Sequence, residues 1–465
     1  MRQWIGSLAL LMTVIAASAQ GGASLSVGPM SGEVTSDSAV LWARADGAGT
    51  LLFEVSSNAD LTDAQTLEVV LDEAGDFIAE ARVGDLTADT AYYYRASIGA
   101  SSASGTFTTS PTPDSAAALR FTFASCIGGQ GYCRPADGWK IFETMGAQSP
   151  DFFLITGDTV YSTNACPIDR NVEGAEAPAN TLPEFRSRYR YQLGDTPYSD
   201  FLANTPVYVT WDDHEIADNF AGIQMSALNP ERYAAGRQAF FEYWPVQENL
   251  GDEQYRLYRD FEYGAHAGFF MLDTRSYRDP IVNWDTTPRT GAPKTMLGAA
   301  QNAWLRENLL TSETTWKFIV SSVPLGYATG FPQPQVDGRD GWADNGEPSG
   351  YESELMSLLY FIEANDIENV IFLTGDSHWP YALSYDPDRD GTPNFYELSA
   401  SPLSAIPLAP GVVDQTFNPT VLYAEGEFQG DLFNFGQIDI NLDGALTFQI
   451  IDREGVQHYE LTLQP

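Results

Sequence analysis

From residue 119 onward the chain is punctuated by short, almost uninterrupted apolar runs, and no other feature narrows its fold as much. The runs are Leu119–Ala124, Asp151–Ile155, Pro206–Thr210, Gly268–Leu272, Trp316–Ser321 and Asn369–Leu373. Each is too short for a helix and lacks the alternation of a half-wet strand, so each reads as a strand covered on both faces. Between them, Ala299–Leu310 and Tyr351–Ala364 carry apolar residues at helical spacing. Strands interleaved with helices indicate an α/β sheet system. The chain then changes character: Phe433–Ile440, Ala445–Ile451 and Val456–Leu463, separated by polar turns, read as an antiparallel meander.

Before residue 111 the runs are shorter and alternate: Ala39–Arg44, Leu51–Val55, Phe77–Val83, Ala91–Ala96 and Gly105–Thr108. Their spacing suits a small all-β immunoglobulin- or fibronectin-like sandwich. The expected division is this domain over 24–110, a polar, proline-bearing linker over 111–118, and a larger domain over 119–465. Met1-Arg2, the apolar stretch Ile5–Ala17 and the small-residue site Ala17-Ser18-Ala19 read as a signal peptide over 1–19, cleaved near Ala19. The mature chain is then secreted or periplasmic. That apolar stretch falls short of the roughly 20 residues a membrane-spanning helix needs, and no later run approaches it.

With 24 basic against 63 acidic residues, the formal net charge is −39. Such a surface repels nucleic-acid backbones and anionic membranes. An anionic substrate would need local positive charge, which bound cations can provide.

The chemistry-bearing residues sit directly after the apolar runs: Ser125-Cys126, Gly157-Asp158 with Tyr161, Trp211-Asp212-Asp213-His214-Glu215, Asp273 with Arg275, and Gly375-Asp376 with His378. In open α/β sheets the ligand crevice lies at the carboxyl ends of the strands. One aspartate after one strand is as often a turn former or helix cap, and a lone thiol is more often packing. The weight comes from the recurrence. Of the 4 histidines, His214 and His378 lie inside these clusters, whereas His266 and His458 do not and read as structural. Carboxylate and carbonyl oxygen suit calcium, magnesium or manganese, while thiolate, phenolate and imidazole suit iron or zinc. A mixed pair of cation sites follows.

The motifs GDTVY, WDDHE, LDTRSY and GDSHW, in that order and preceded by FASC, resemble those of the PhoD-like alkaline phosphatases and phosphodiesterases. They are similar, more distantly, to those of the purple acid phosphatases of the same metallophosphatase superfamily. The resemblance extends over nearly the whole mature chain. It implies an α/β (α+β) metallophosphatase-type layered β-sandwich flanked by helices, behind the small all-β domain. It also implies that Asp158 bridges two metals. Cys126, Tyr161 and His378 would complete an Fe³⁺ site, and Asp213 and Asp376, with Asn219, a Ca²⁺ site, with zinc, manganese or magnesium as substitutes. His214 would protonate the leaving oxygen. The chain departs from the superfamily where Asp213 replaces an asparagine and Cys126 replaces an early aspartate-x-histidine pair. Arg275 would fork onto phosphate oxygens, or else pair with a nearby carboxylate.

The implied reaction is hydrolysis of phosphomonoesters or phosphodiesters by metal-activated water or hydroxide. The alternatives are a phospholipase D-like phosphodiesterase acting on lipid headgroups and a non-catalytic exported binding protein on the same scaffold. Three cysteines leave one unpaired. The expected bridge is Cys133–Cys166 with Cys126 kept as a thiolate; the alternative is Cys126–Cys133 with Cys166 free. Asp386, Asp388, Asp390, Gly391 and Glu397 match the spacing of an EF-hand calcium loop. Strand-like flanks and two prolines favour a hairpin turn there instead. Ser162–Pro183 and Gly330–Gly350 are long aperiodic segments expected beside the site.

Overall fold

The computed structural model describes residues 22–166, 174–246, 255–281, 293–329, 340–343 and 350–465. The leader expected over 1–19, and most of the 330–350 segment, lie outside the described residues. Among the described residues no helix is long and apolar enough to cross a membrane.

The strands are β1 (Leu25–Gly32), β2 (Ala39–Ala45), β3 (Gly49–Ser56), β4 (Gln65–Leu71), β5 (Ile78–Val83), β6 (Ala91–Ile98), β7 (Ser101–Thr108), β8 (Leu119–Ala124), β9 (Phe152–Ile155), β10 (Val207–Val209), β11 (Arg259–Tyr263), β12 (Ala267–Met271), β13 (Trp316–Val320), β14 (Val370–Thr374), β15 (Tyr381–Tyr385), β16 (Phe395–Ser399), β17 (Pro419–Ala424), β18 (Asn434–Ile440), β19 (Leu446–Asp452) and β20 (Gln457–Leu463). The helices are α1 (Ile141–Ala147), α2 (Leu182–Leu193), α3 (Thr196–Asn204), α4 (Gly222–Leu228), α5 (Pro230–Tyr243), α6 (Gly298–Thr311) and α7 (Glu352–Ala364).

Two large sheets face each other. One has nine strands in the order β20-β19-β18-β8-β9-β10-β1-β2-β5, and the other seven in the order β11-β12-β13-β14-β16-β15-β17. Phe121, Phe123, Phe152 and Leu154 of the first sheet meet Phe269, Met271, Phe318, Val320, Ile371 and Leu373 of the second in the interior between them. The alternate residues turn outward and are buried as well. Phe153, Ile155 and Val209 pack with Phe142, Phe185, Tyr198 and Phe240 of the first sheet's helices. Phe270, Ile319, Val370 and Phe372 pack with Leu305, Leu309, Leu355 and Leu358 of α6 and α7. A strand with a sheet on one face and a helix on the other needs apolar residues at every position, which is why the central strands read as unbroken runs. The runs, both expected helices and the terminal meander all form within a residue or two of their expected ends.

The N-terminal strands divide between sheets. β4-β3-β6-β7 forms a separate four-stranded sheet, facing β1, β2 and β5 across Leu41, Leu51, Phe53, Tyr94 and Phe107. β1 meets β10 in parallel at Gly32 and Val207, so the nine-stranded sheet runs on from the larger domain's strands. A Cβ on Gly32 would lie 2.6 Å from the Val207 carbonyl oxygen, so only glycine permits this approach. The join is reinforced by the Arg259–Glu33 pair at 2.6 Å and by Trp42 Nε1 donating to the Glu242 carbonyl at 2.7 Å. The sequence hid β1 behind Gly28-Pro29, and hid β4 behind its exposed, weakly apolar pattern.

Phe269 is the hub of the inter-sheet core, with ring centroids 4.6 Å from Phe261, 4.9 Å from Phe318, 5.2 Å from Phe121 and 5.4 Å from Phe152. Phe269→Ala should destabilise the chain by about 3–5 kcal/mol, read as a shift of the urea unfolding midpoint.

Candidate metal centre

The loops that follow β8, β9 and β10, three neighbouring strands of the first sheet, meet the loop that follows β14 of the second. Backbone bonds tie the first two loops together, Cys126 N–H to the Gly157 carbonyl at 3.4 Å and Ile127 N–H to the Asp158 carbonyl at 3.0 Å. Cys126, Asp158, Asn219, Asp376 and His378 all hold left-handed φ values between 51° and 65°. Non-glycine residues adopt that region at a cost, and such strain gathers where geometry serves a function. Gly157, at φ 118°, makes the sharp turn before Asp158 expected of it. Gly375 serves by its size instead, because a Cβ there would lie 2.7 Å from Ser125 Oγ.

Three donor groups share Asp158: Cys126, Asp158 and His378; Asp158, Asp213 and His214; and Asp158, Asp212 and Asp376. Within each group the donor atoms lie within 4.8 Å of one another. Tyr161 joins the first, its hydroxyl 3.0 Å from His378 Nε2. The expected residues Cys126, Asp158, Tyr161, Asp213, Asp376 and His378 therefore come together. Asn219 lines the same cleft, of about 270 Å³, and its backbone N–H donates to Asp213 Oδ2 at 2.6 Å.

The aspartates follow one pattern. Asp158 Oδ1 accepts the His214 N–H, Asp212 Oδ1 accepts from Arg275 Nε and Ser322 Oγ, and Asp213 Oδ2 accepts from Asn219. The other oxygen of each, Asp158 Oδ2, Asp212 Oδ2 and Asp213 Oδ1, is buried with no hydrogen-bond partner, as is Asp376 Oδ2. Buried oxygens are rarely left so, and bound cations are a standard resolution. His378 fits the same reading. Its Nδ1 lies 2.6 Å from the Ile406 carbonyl, to which only an N–H can donate, so Nε2 presents its lone pair to the crevice. Burial lowers the pKa of His378, favouring this neutral form. Cys126 Sγ lies 3.2 Å from both Ser125 Oγ and Ser401 Oγ, hydroxyls able to support a thiolate. Cys133 and Cys166 form the disulfide, leaving Cys126 free and buried.

Arg275 is engaged within the protein. Its guanidinium is fully buried, with Nε 2.6 Å from Asp212 Oδ1 and both terminal nitrogens on the Asp340 carboxylate, which Arg278 also grips. Of the two readings of this arginine, the geometry matches the ion pair. No sequence signal assigns a separate role to Asp212, Glu215 or Asp340. Asp212 and Glu215 stood in view within WDDHE, but one strand end cannot face every carboxylate inward, and the sequence does not say which turn. Asp340 stands in the aperiodic 330–350 segment, where no pattern marks it. The 386–397 stretch is the expected hairpin between β15 and β16. Glu397, last in the calcium-loop spacing, turns into the core to accept from the Tyr381 and Tyr385 hydroxyls and the Leu325 and Gly326 N–H groups.

Fold and site together define a protein built on two large facing sheets, clad in helices, with cysteine, tyrosine, histidine and aspartate side chains gathered at its strand ends. The chain belongs to the PhoD-like phosphatase family: residues 121–447 match the family described as PhoD-like phosphatase, and residues 12–111 match its N-terminal domain. The resemblance drawn from the strand-end motifs therefore holds. The chain is 27% identical over 400 residues to alkaline phosphatase D of Bacillus subtilis (strain 168), a match covering 79% of this chain and 66% of that protein. A solved structure of PhoD superposes with a TM-score of 0.75 at 21% identity, over 96% of this chain and 94% of the other. The purple acid phosphatase PPD1 from yellow lupin (Lupinus luteus) seeds shares the fold at a TM-score of 0.61 and 11% identity, over 93% and 73% of the two chains.

Burial and mutual repulsion raise the site's carboxyl groups: Asp158 and Asp376 well above the ordinary range, Asp212 to about 6 and Glu215 to about 8. A folded chain that keeps protons its unfolded form has released loses stability as pH rises. Stripped of cations, the chain should lose thermal stability as pH climbs from about 4, the ordinary carboxyl range, through about 8, whereas saturating divalent cation should flatten that decline. Thermal unfolding across pH, with and without chelator, measures it.

Proposed function

We propose that this chain is an exported, metal-dependent hydrolase of phosphoric esters, mono- or diesters, carried on a metallophosphatase-type layered sandwich (119–465) joined through the 111–118 linker to a β-sandwich domain (24–110). The single observation behind this reading is the set of donor groups that share Asp158, each aspartate holding out an oxygen with no protein partner. Cys126, Asp158, Tyr161 and His378 suit Fe³⁺. Asp213 and Asp376, with Asp158 shared, Asn219 at the rim and Asp212 Oδ2 facing the same space, suit Ca²⁺. Bound there, such cations would acidify a water and offset charge on the phosphoryl oxygens.

The chain's own residues supply the rest. Arg275, held by Asp340, and Ser322 fix one oxygen of Asp212 so that the other keeps its direction. His214 lines the cleft beside Asp213 and Asp376, where an imidazole can serve as a general acid. As the incoming water oxygen bonds to phosphorus and the bond to the leaving oxygen breaks, Nε2–H gives its proton to that oxygen. The attacking water releases a proton to solvent and Nε2 takes one back from solvent, so water is the sole co-substrate.

With ferric iron bound, the chain should absorb in the visible range through thiolate and phenolate charge transfer. The band should disappear in Tyr161→Phe and shift in Cys126→Ser. A chelator should abolish turnover of chromogenic mono- and diesters; a fully metal-loaded preparation that cleaves neither would overturn the reading. His214→Ala should keep its metals, by elemental analysis, while turnover drops about 10²- to 10⁴-fold.

A further inference from the structure

The imidazole of His214 is held by three consecutive residues of one loop, each in a different way. The ring of Tyr161 lies along its face, with centroids 4.2 Å apart and planes at 28°. Ser162 fixes the main chain beneath: its N–H donates to the His214 carbonyl at 2.9 Å, and its hydroxyl lies 2.6 Å from that carbonyl and 2.8 Å from that of Glu215. Thr163 Oγ1 is hydrogen-bonded to the ring itself, at Nδ1. Asp158 Oδ1 accepts the His214 backbone N–H at 3.2 Å. The remaining ring atom able to act is Nε2. The carboxylate oxygens beside it, Asp218 Oδ1 at 3.9 Å and Asp213 Oδ1 at 4.0 Å, both lie beyond hydrogen-bond range, and both residues line the same cleft.

An imidazole can turn over about its Cβ–Cγ bond, and either nitrogen can carry the proton, so aiming one of them requires a partner on the other. Elsewhere that partner is often a carboxylate. Here a carboxylate would add a further negative charge to a crevice already crowded with them. A hydroxyl avoids this: it accepts from Nδ1–H while the ring is charged and again once Nε2 has given up its proton, because Nδ1 keeps its hydrogen throughout. The contact thus survives both halves of a proton-transfer cycle.

We propose that Thr163 is the positioning residue for His214: with Tyr161 stacked on the ring and Ser162 holding its backbone, Thr163 anchors Nδ1 so that Nε2 faces the leaving oxygen. This rests on the reading of His214 as the proton donor. It concerns orientation alone, because the contact the Thr163 hydroxyl makes is with Nδ1 of His214.

The test compares two esters of the same phosphoric acid. A nitrophenyl ester leaves readily without a proton, whereas an alkyl ester leaves only with one. In the metal-loaded protein, Thr163→Val removes the hydroxyl and keeps the side chain's shape. It should lower kcat on the alkyl ester by about 10- to 100-fold, the scale of a misaimed catalytic group. The nitrophenyl ester should change only a few-fold, with KM and metal content unaltered, and Thr163→Ser should restore the alkyl rate. Histidine-specific ¹⁵N spectra of the cation-free protein give a readout independent of turnover: among the 4 histidines, the ring-nitrogen signals of His214 should shift in Thr163→Val and return in Thr163→Ser. Equal losses on both esters, or unmoved His214 signals, would overturn the proposal. His214→Ala serves as the control. If it shows no bias between the esters, the acid role itself fails; if it does and Thr163→Val does not, only the role of Thr163 fails.

Discussion

Carboxylates that share a buried crevice cannot all ionise unless positive charge is brought among them, and the middle of this molecule is organised around that constraint. Asp158, Asp212, Asp213 and Asp376 converge on a small volume, and the nearest protein cation, Arg275, is already occupied with Asp212 and Asp340. The chain anchors one oxygen each of Asp158, Asp212 and Asp213 through an N–H, a guanidinium or a hydroxyl, and leaves the other oxygen bare. Such an arrangement is costly empty and favourable when filled, so cation binding and folding stability are coupled through the same atoms.

The surroundings keep these aspartates from relaxing. Arg275 and Arg278 both hold Asp340, a buried cluster that ties the 340–343 segment to the loop after β12 and, through Asp212, to the centre. A buried charge network of this kind adds little net stability, but losing any one member strands the others. Its use is directional, since a carboxylate with one oxygen held rigidly has little freedom in where it points the second. The 161–163 loop does the same for His214 by ring stacking, backbone bonds and a single hydroxyl.

The two-sheet core makes this precision possible. Strands covered by a sheet on one side and helices on the other are rigid from end to end, and their carboxyl ends lie side by side. Short loops leaving such ends are strained with little loss, as the left-handed φ values at Cys126, Asp158, Asp376 and His378 show.

The sequence by itself determined the strand runs, the two long amphipathic helices and the terminal meander, because burial on both faces or on one leaves a period that can be read without coordinates. It also marked Cys126, Asp158, Tyr161, Asp213, Asp376 and His378 as residues that come together, since they stand just after those runs, where the ligand crevice of an α/β sheet lies. Only the tertiary structure decided what depends on direction and on partners distant in the chain. Arg275 turned inward because Asp340, 65 residues on, arrived to meet it. Asp212 joined the centre while its neighbour Glu215 turned to Thr159. β1 extended the larger sheet because Gly32 allows Val207 to approach. Periodicity records whether a side chain is covered, not what covers it, and for these residues the covering group determines the role.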